Sequence, residues 1–284
     1  MRLEMVVNRG AERSTKAAAP EHPATSIARA FGGALVFSLP VFMTMEMWEL
    51  GFYMDRARLI LLVLLNIPIL VFLSHYSGFE ATFDWRDDLR DAAIAYGVGI
   101  ISSATVLSIF GLLAPGMSVG EIAGKVALQS VPASIGALLA RTQLGGRHRR
   151  REREDRYGGE LMLMAAGALF LSLNVAPTEE MILISYKMSP VQGIALVLGS
   201  IIVMHGFVFA AAFKGGSELS PHTPWWSAFM RFTMVGYVIA LLISAFALWT
   251  FGRMDGQGVS TLLMAMIVLG FPAALGAAAA RLIL

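Results

Sequence analysis

Residues 33–47 read Gly-Ala-Leu-Val-Phe-Ser-Leu-Pro-Val-Phe-Met-Thr-Met-Glu-Met, and residues 167–181 read Gly-Ala-Leu-Phe-Leu-Ser-Leu-Asn-Val-Ala-Pro-Thr-Glu-Glu-Met. Nine of the fifteen positions are identical at this shift of 134: Gly33/Gly167, Ala34/Ala168, Leu35/Leu169, Ser38/Ser172, Leu39/Leu173, Val41/Val175, Thr44/Thr178, Glu46/Glu180 and Met47/Met181. An apolar composition produces chance matches of Leu and Ala. It does not readily place Ser, Thr and Glu in one register. A repeat found this way decides the architecture, so it is followed outward first.

The same shift pairs Met54 with Met188, Asn66 with Ser200 and Phe79 with Phe213. A shift of 141 then pairs Trp85/Trp226, Tyr96/Tyr237, Ser103/Ser244, Phe110/Phe251 and Gly111/Gly252. A shift of 140 pairs Pro132/Pro272, Gly136/Gly276, Ala140/Ala280 and Arg141/Arg281. Order is kept throughout. Each copy holds four long apolar runs, and the sequence predicts spans at roughly 29–50, 57–76, 91–113, 119–140, 160–184, 190–213, 230–252 and 260–283. A run of ~20 helical residues crosses a ~30 Å hydrocarbon core. The expected fold is an all-α polytopic membrane protein of about eight transmembrane helices. Four is an even number, so the two four-helix repeats enter the membrane from the same side and are parallel. The small-residue stripes Gly136-Ala137…Ala140 and Gly276-Ala277…Ala280 suit close helix contact, and the halves are expected to pack around the pseudo-two-fold axis.

Composition agrees. The chain is 56% hydrophobic and 15% charged, well below the roughly 25% charge of soluble domains. Its mean hydropathy is +0.66. The expected organisation is a disordered cytoplasmic tail at 1–26, a first repeat at 27–141, a basic cytoplasmic linker at 142–159 and a second repeat at 160–284. Seventeen Lys and Arg fall on the side of the tail and the linker, and four on the other. That bias puts both termini in the cytoplasm. No apolar stretch in the first 26 residues resembles the core of a cleaved signal peptide. The Arg-rich linker, Arg147 to Arg156, is short and mixed in sign. It reads as a topology-setting segment beside lipid headgroups rather than a nucleic-acid site. The chain has no cysteine, so thiolate chemistry and disulfides are excluded. Nucleotide-binding loops and hydrolase signatures are absent, and no cofactor is implied.

Polar residues inside apolar spans mark candidate chemistry, because a carboxylate in hydrocarbon costs at least ~2.5–3.5 kcal/mol. Glu46 and Glu180 match by repeat, and Glu49 and Glu179 lie close by. At ~1.5 Å per residue, Glu46 sits ~24 Å into a continuous first span, in the outer third of the membrane. Four carboxylates at one level suit an inorganic cation, with Thr44, Thr178, Ser38, Ser172 and Asn174 adding neutral oxygens. The plainer alternative is that the acids sit in the interface and close a structural network. Pro40 and Pro177 would kink the spans and free the carbonyls of Val36 and Leu173, as in the broken helices of transporters. The alternative there is an ordinary packing kink.

Accessory polar groups are less specific. Glu121 and Lys125 are spaced for an i,i+4 ion pair in the fourth span, with Gln129 one turn on. They read as a satisfied internal pair before a polar path. His205 reads as a hydrogen-bonded core histidine before a proton relay. Asn66 is a buried-span amide with Ser200 as its match. A thioether copper site in Met43, Met45 and Met47 is not supported, since only Met47 recurs in the second copy.

The run Asn174-Val175-Ala176-Pro177-Thr178-Glu179-Glu180-Met181, the basic linker and the eight spans resemble an uncharacterised bacterial family of integral membrane proteins that carries a domain of unknown function. The resemblance covers about residues 25–284 and implies a bacterial inner-membrane location. It supplies no activity and no site residues. The expected function is a cation channel or ion-coupled transporter built on the paired carboxylates. An intramembrane enzyme acting on lipid and a non-catalytic scaffold or sensor are the alternatives. The expected partners are the bilayer and the cation, and a homo-oligomer would place a pore between chains.

Overall fold

The computed structural model describes residues 23–77, 85–144, 157–213 and 225–283. The expected tail, most of the basic linker, Arg147 to Arg156 included, and most of the connectors at 77–90 and 214–229 lie outside the described residues. Every described element is helical. In chain order they are α1 Pro23–Phe42, α2 Met45–Tyr53, α3 Arg56–Ser77, α4 Trp85–Ile109, α5 Val119–Leu144, α6 Tyr157–Val175, α7 Glu179–Lys187 and α8 Pro190–Phe213. Then follow α9 Trp225–Ala228, a π-helical turn at Phe229–Met234, α10 Val235–Thr250 and α11 Val259–Ile283.

Eight helices are long and apolar enough to cross a bilayer: α1, α3, α4, α5, α6, α8, the π turn with α10, and α11. Their outer faces expose large apolar side chains, among them Ile60, Ile101, Ile202 and Leu242. A water-soluble domain hides such a belt; acyl chains are its natural solvent.

Two expected spans are broken. The sequence predicts one helix over 29–50 for the first, but α1 ends at Phe42 and α2 begins at Met45. The fifth, read as 160–184, ends at Val175, and α7 begins at Glu179. In the first break the amide of Thr44 turns back to the Val41 carbonyl at 3.2 Å, and Thr44 itself is extended. In the second the amide of Thr178 reaches the Val175 carbonyl at 3.1 Å, and Thr178 is also extended. Each threonine is the N-cap residue of the short helix that follows. Pro177 is therefore not a kink within a helix. It lies in the break, where a proline steers the residue before it away from helical geometry. Pro40 does lie inside α1, within its last turn.

The helix of span three also starts earlier than the expected residue 91, at Trp85. Its first turns are charged, so hydropathy misses them. Asp88 and Asp91, three residues apart on one face, are buried there, and Asp88 Oδ2 lies 2.9 Å from His75 Nδ1.

The fourth span of each set of four is the centre of its bundle. α5 packs against α1, α2, α3 and α4, and 72% of its apolar window is buried. α11 packs against α6, α7, α8 and α10. The small-residue stripes make these contacts within each bundle, not between bundles. A Cβ placed at Gly136 would come 2.9 Å from the Gly33 carbonyl oxygen of α1, and one at Gly167 of α6 would come 2.6 Å from Ala280 Cβ of α11. Glycine is required at both because the backbones themselves touch. The contact between bundles runs instead through α6, which meets α1, α3 and α5. Phe37 of α1 and Phe170 of α6 stack edge to face, with centroids 5.7 Å apart.

Candidate functional site at the two broken spans

The acids lie past the ends of the spans. The crossing windows close at Phe42 and Val175, so Glu46, Glu49, Glu179 and Glu180 sit in the short helices beyond them. The breaks at Thr44 and Thr178 end both long apolar helices before the acids are reached. α1 has 20 residues, and ~1.5 Å each gives ~30 Å. Glu179, Glu180 and Glu49 are exposed, and Glu46 is half-buried.

Their position has a local cause. Glu46 falls in the first turn of α2, and Glu179 and Glu180 in the first turn of α7. Unpaired amides and the helix dipole favour negative charge at that end. Glu46 goes further and reaches across the bundles. Its Oε1 accepts a hydrogen bond from the backbone amide of Glu179 at 3.3 Å. A carboxylate of one broken span thus caps the short helix of the other. The four acids do not converge into a cage. Among the described residues no group of three or more His, Cys, Asp or Glu could hold a metal ion.

The neutral candidates divide. Thr44 Oγ1 donates to the Pro40 carbonyl at 2.6 Å, and Thr178 Oγ1 to the Val175 carbonyl at 2.8 Å, so both threonines are spent on closing the turns. Ser38 and Ser172 are fully buried, and neither hydroxyl has a hydrogen-bond partner. Asn174 donates from Nδ2 to the Phe170 carbonyl at 2.6 Å, and its Oδ1 is buried without a partner. Buried polar atoms left this way are uncommon.

The breaks are also tied down. The Trp48 indole of α2 donates to the Phe42 carbonyl at 2.7 Å, which closes the end of α1. At the second break Arg253 donates to the Pro177 carbonyl from Nη2. Nothing in the sequence pattern singled out Arg253. It is placed by the end of α10, where Gly252 adopts φ +71°. Its own amide then returns to the Leu248 carbonyl at 2.8 Å, and the Gly252 amide to Trp249 at 3.1 Å. This left-handed cap aims the next side chain back toward α7. The end of α4 has the same construction: Gly111 at φ +71°, with the Leu112 amide 2.8 Å from the Leu107 carbonyl.

A second tie joins the bundles on the same side. Arg58 of α3 donates to both Asp255 carboxylate oxygens at 2.9 Å and to the Trp249 carbonyl at 2.8 Å, and its guanidinium lies 5.0 Å from the Trp249 ring. The planar fork suits a two-point carboxylate contact. Arg58 holds the Asp255 carboxyl below the usual carboxylate range.

The accessory candidates are each accounted for locally. Lys125 pairs with Glu121 at 3.1 Å and donates to the Leu112 carbonyl at 3.3 Å. Asn66 donates to Ser134 Oγ at 2.9 Å, which joins α3 to α5. His205 Nδ1 lies 2.9 Å from Thr233 Oγ1, and its ring meets Phe229 edge to face. Thr233 and Phe229 belong to the π turn, a feature that often marks functional segments. Of these groups only Lys125 lies near the acids, packed at Gly51 against the short helix that carries Glu46 and Glu49.

The chain belongs to the DUF2391 family, described as "Putative integral membrane protein", whose profile matches residues 26–284. Comparison with curated proteins and with solved structures finds no match.

Proposed function

We propose that this integral membrane protein conducts or carries an inorganic cation, with the acids of the two broken spans forming the charged mouth of its path. The observation that carries this reading is the contact between Glu46 and the Glu179 amide, which ties a carboxylate of the first broken span to the start of the short helix that carries Glu179 and Glu180. Glu46, Glu180, Glu179 and Glu49 act as an attractor rather than a chelating cage. Carboxylates at a low-dielectric boundary raise the local concentration of cations and speed their entry. Ser38, Ser172 and Asn174 offer oxygen atoms with no other partner to a cation shedding its water.

The proposal includes the duplicated architecture: two parallel four-span units, residues 27–141 and 160–284, with a basic linker between them. Matched breaks at Thr44 and Thr178, matched glycine caps at 111 and 252, and matched glycine contacts of Gly33 with Gly136 and Gly167 with Gly276 support it. It also places both termini in the cytoplasm of a bacterial inner membrane, which puts the acids on the outer face. The charge bias of the connectors supports this side.

The test is cation flux into proteoliposomes, with Na⁺, K⁺, Ca²⁺, Mg²⁺ and H⁺ tried in turn. Wild type is compared with the Glu46→Gln/Glu180→Gln double variant. Selective flux in the wild type, reduced tenfold or more in the folded double variant, is expected. Equal flux in the two proteins, or no flux of any ion from folded wild type, overturns the proposal.

A further inference from the structure

Beside α7 and the cap of α10 lies a cavity of about 140 Å³, lined by Ser185, Tyr186, Arg253, Gln257, Thr261 and Ala265 among others. An open groove of about 450 Å³ adjoins it, lined by Glu179, Glu180, Leu183, Tyr186 and Arg253 with Ile182. The two spaces share Ile182, Tyr186 and Arg253.

The matched place in the first bundle is occupied by a lysine. The shifts that align the copies put Gly51 opposite Ser185, Glu121 opposite Thr261, Lys125 opposite Ala265 and Leu112 opposite Arg253. In the first bundle Lys125 lies along α2 so closely that a Cβ at Gly51 would be 2.6 Å from Lys125 Cα. Its ammonium ends on the Glu121 carboxylate and the Leu112 carbonyl. In the second bundle the lysine is an alanine, its glutamate is a threonine, and the cation comes from the connector as Arg253. Ala265 is too short to fill the volume that Lys125 fills.

The chemistry left around the opening has two signs. Arg253 spends Nη2 on the Pro177 carbonyl, while its Nε is buried and has no partner. Among the described residues no carboxylate pairs with it. A guanidinium with free donors selects an oxyanion. The neighbouring groove presents two exposed carboxylates, which select an ammonium. Apolar side chains of Ile182 and Leu183 wall the space between. The whole lies at the ends of the spans, the level of lipid headgroups.

We infer that this asymmetric cavity and groove form a binding site for a zwitterion carrying an oxyanion and an ammonium group a few ångströms apart. Arg253 takes the oxyanion, with Thr261 and Tyr186 beside it, and Glu179 and Glu180 take the ammonium. The group can come from a lipid headgroup of the phosphoethanolamine type or from a free solute of the same chemistry. The site goes beyond cation flux and does not depend on it.

The experiment uses the full chain purified in a maltoside detergent and checked for a single monodisperse species. Binding of short-chain phosphatidylethanolamine and of free phosphoethanolamine is measured by calorimetry. Phosphatidylglycerol, inorganic phosphate and ethanolamine serve as single-charge controls. Saturable binding of at least one zwitterion is expected, at least tenfold tighter than each control. Lipid alone binding identifies the headgroup as the source, and equal binding of the free form identifies a solute. Arg253→Gln and, separately, the cavity-filling Ala265→Met each weaken binding tenfold or more. Ala265→Met removes no hydrogen bond, so it remains informative if loss of the Pro177 contact harms folding in Arg253→Gln. No saturable zwitterion binding, binding of phosphate as tight as that of phosphoethanolamine, or binding unchanged in both variants overturns the inference. Because binding is read without a gradient, failure here leaves the flux proposal standing, and failure of flux leaves this one standing.

Discussion

Gly32 and Gly33 are neighbours in α1, and replacing each by alanine separates backbone propensity from helix packing. Both substitutions carry the same intrinsic gain of about 0.5–1 kcal/mol for alanine over glycine within a helix. Their surroundings differ completely. A Cβ at Gly32 meets nothing within 4 Å. A Cβ at Gly33 runs into Ala140 Cβ, and meets the Gly136 carbonyl oxygen at 2.5 Å and Ala140 Cα at 3.3 Å. Ordinary C···O contact is ~3.3 Å, so the overlap with that oxygen alone is ~0.8 Å. The obstructing atoms are backbone and an alanine Cβ, none of which can rotate away, so α1 must move off α5 by at least a comparable distance. Overpacking of this kind costs about 1–3 kcal/mol. A gap of that size also weakens dispersion along the rest of the interface. Gly32→Ala is therefore expected to be neutral or stabilising, and Gly33→Ala to lie about 1–3 kcal/mol below it. The displacement also lengthens the Glu46 contact, already 3.3 Å, beyond hydrogen-bond reach. The assay is reversible unfolding in mixed micelles, titrated with sodium dodecyl sulfate and followed by tryptophan fluorescence. Equal stability of the two variants would refute the close approach of α1 and α5.

Three further outcomes follow from individual contacts. At Asp255, whose carboxyl Arg58 holds below its ordinary range, the folded form binds its proton less readily than the unfolded form. Its stabilising contribution is present above the ordinary carboxylate pKa of ~3.9 and is lost as pH falls through the lower folded value. The gap in unfolding midpoint between wild type and Asp255→Asn should be constant at neutral pH and close in acid; a gap that widens in acid contradicts the pairing. Ser134→Ala leaves Asn66 Nδ2 without its acceptor inside a span and should destabilise by about 1–2 kcal/mol, whereas Asn66→Leu combined with Ser134→Ala should recover most of that in the same titration. Gly252→Ala places a side chain at φ +71° and should cost about 1–2 kcal/mol, with Gly252→Asn milder because asparagine tolerates that region; identical losses would show that the cap is not left-handed.

The spans were legible because hydropathy is summed over ~20 residues, and lipid tolerates no long polar interruption. The breaks were not, because Met43-Thr44 and Ala176-Pro177-Thr178 are too short, and too closely flanked by apolar residues, to interrupt a sum over that length. Hydropathy registers what a segment dissolves in, not whether its backbone is continuous. A local signal was nevertheless present in both copies. Thr44 and Thr178 each precede an acid within two residues, the composition of a helix start rather than a helix middle. Reading that signal would have moved the acids from the outer third of a continuous span to the short helix that follows it. The glycines show a different limit. Gly33, Gly136, Gly167 and Gly276 all stood out as matched, but spacing alone names a face and not its partner. The partner is the first span of the same bundle, and only the fold could say so.

Arg253 is the hardest case, since it is a single charge in a short connector whose bonded carbonyl, at Pro177, lies 76 residues away. Its signal is a comparison rather than a motif. Where the first copy keeps Glu121 and Lys125, the second has Thr261 and Ala265, and a cation appears instead at the position matched to Leu112. The charge that the first set of spans carries on its fourth helix is thus carried in the second set by a connector, beside the short helix that holds Glu179 and Glu180. Of the four acids only Glu46 and Glu180 occupy matched positions, since Glu49 falls opposite Leu183 and Glu179 opposite Met45. In the functions proposed above, cation attraction therefore centres on the matched pair, and zwitterion binding on positions where the two sets of spans differ.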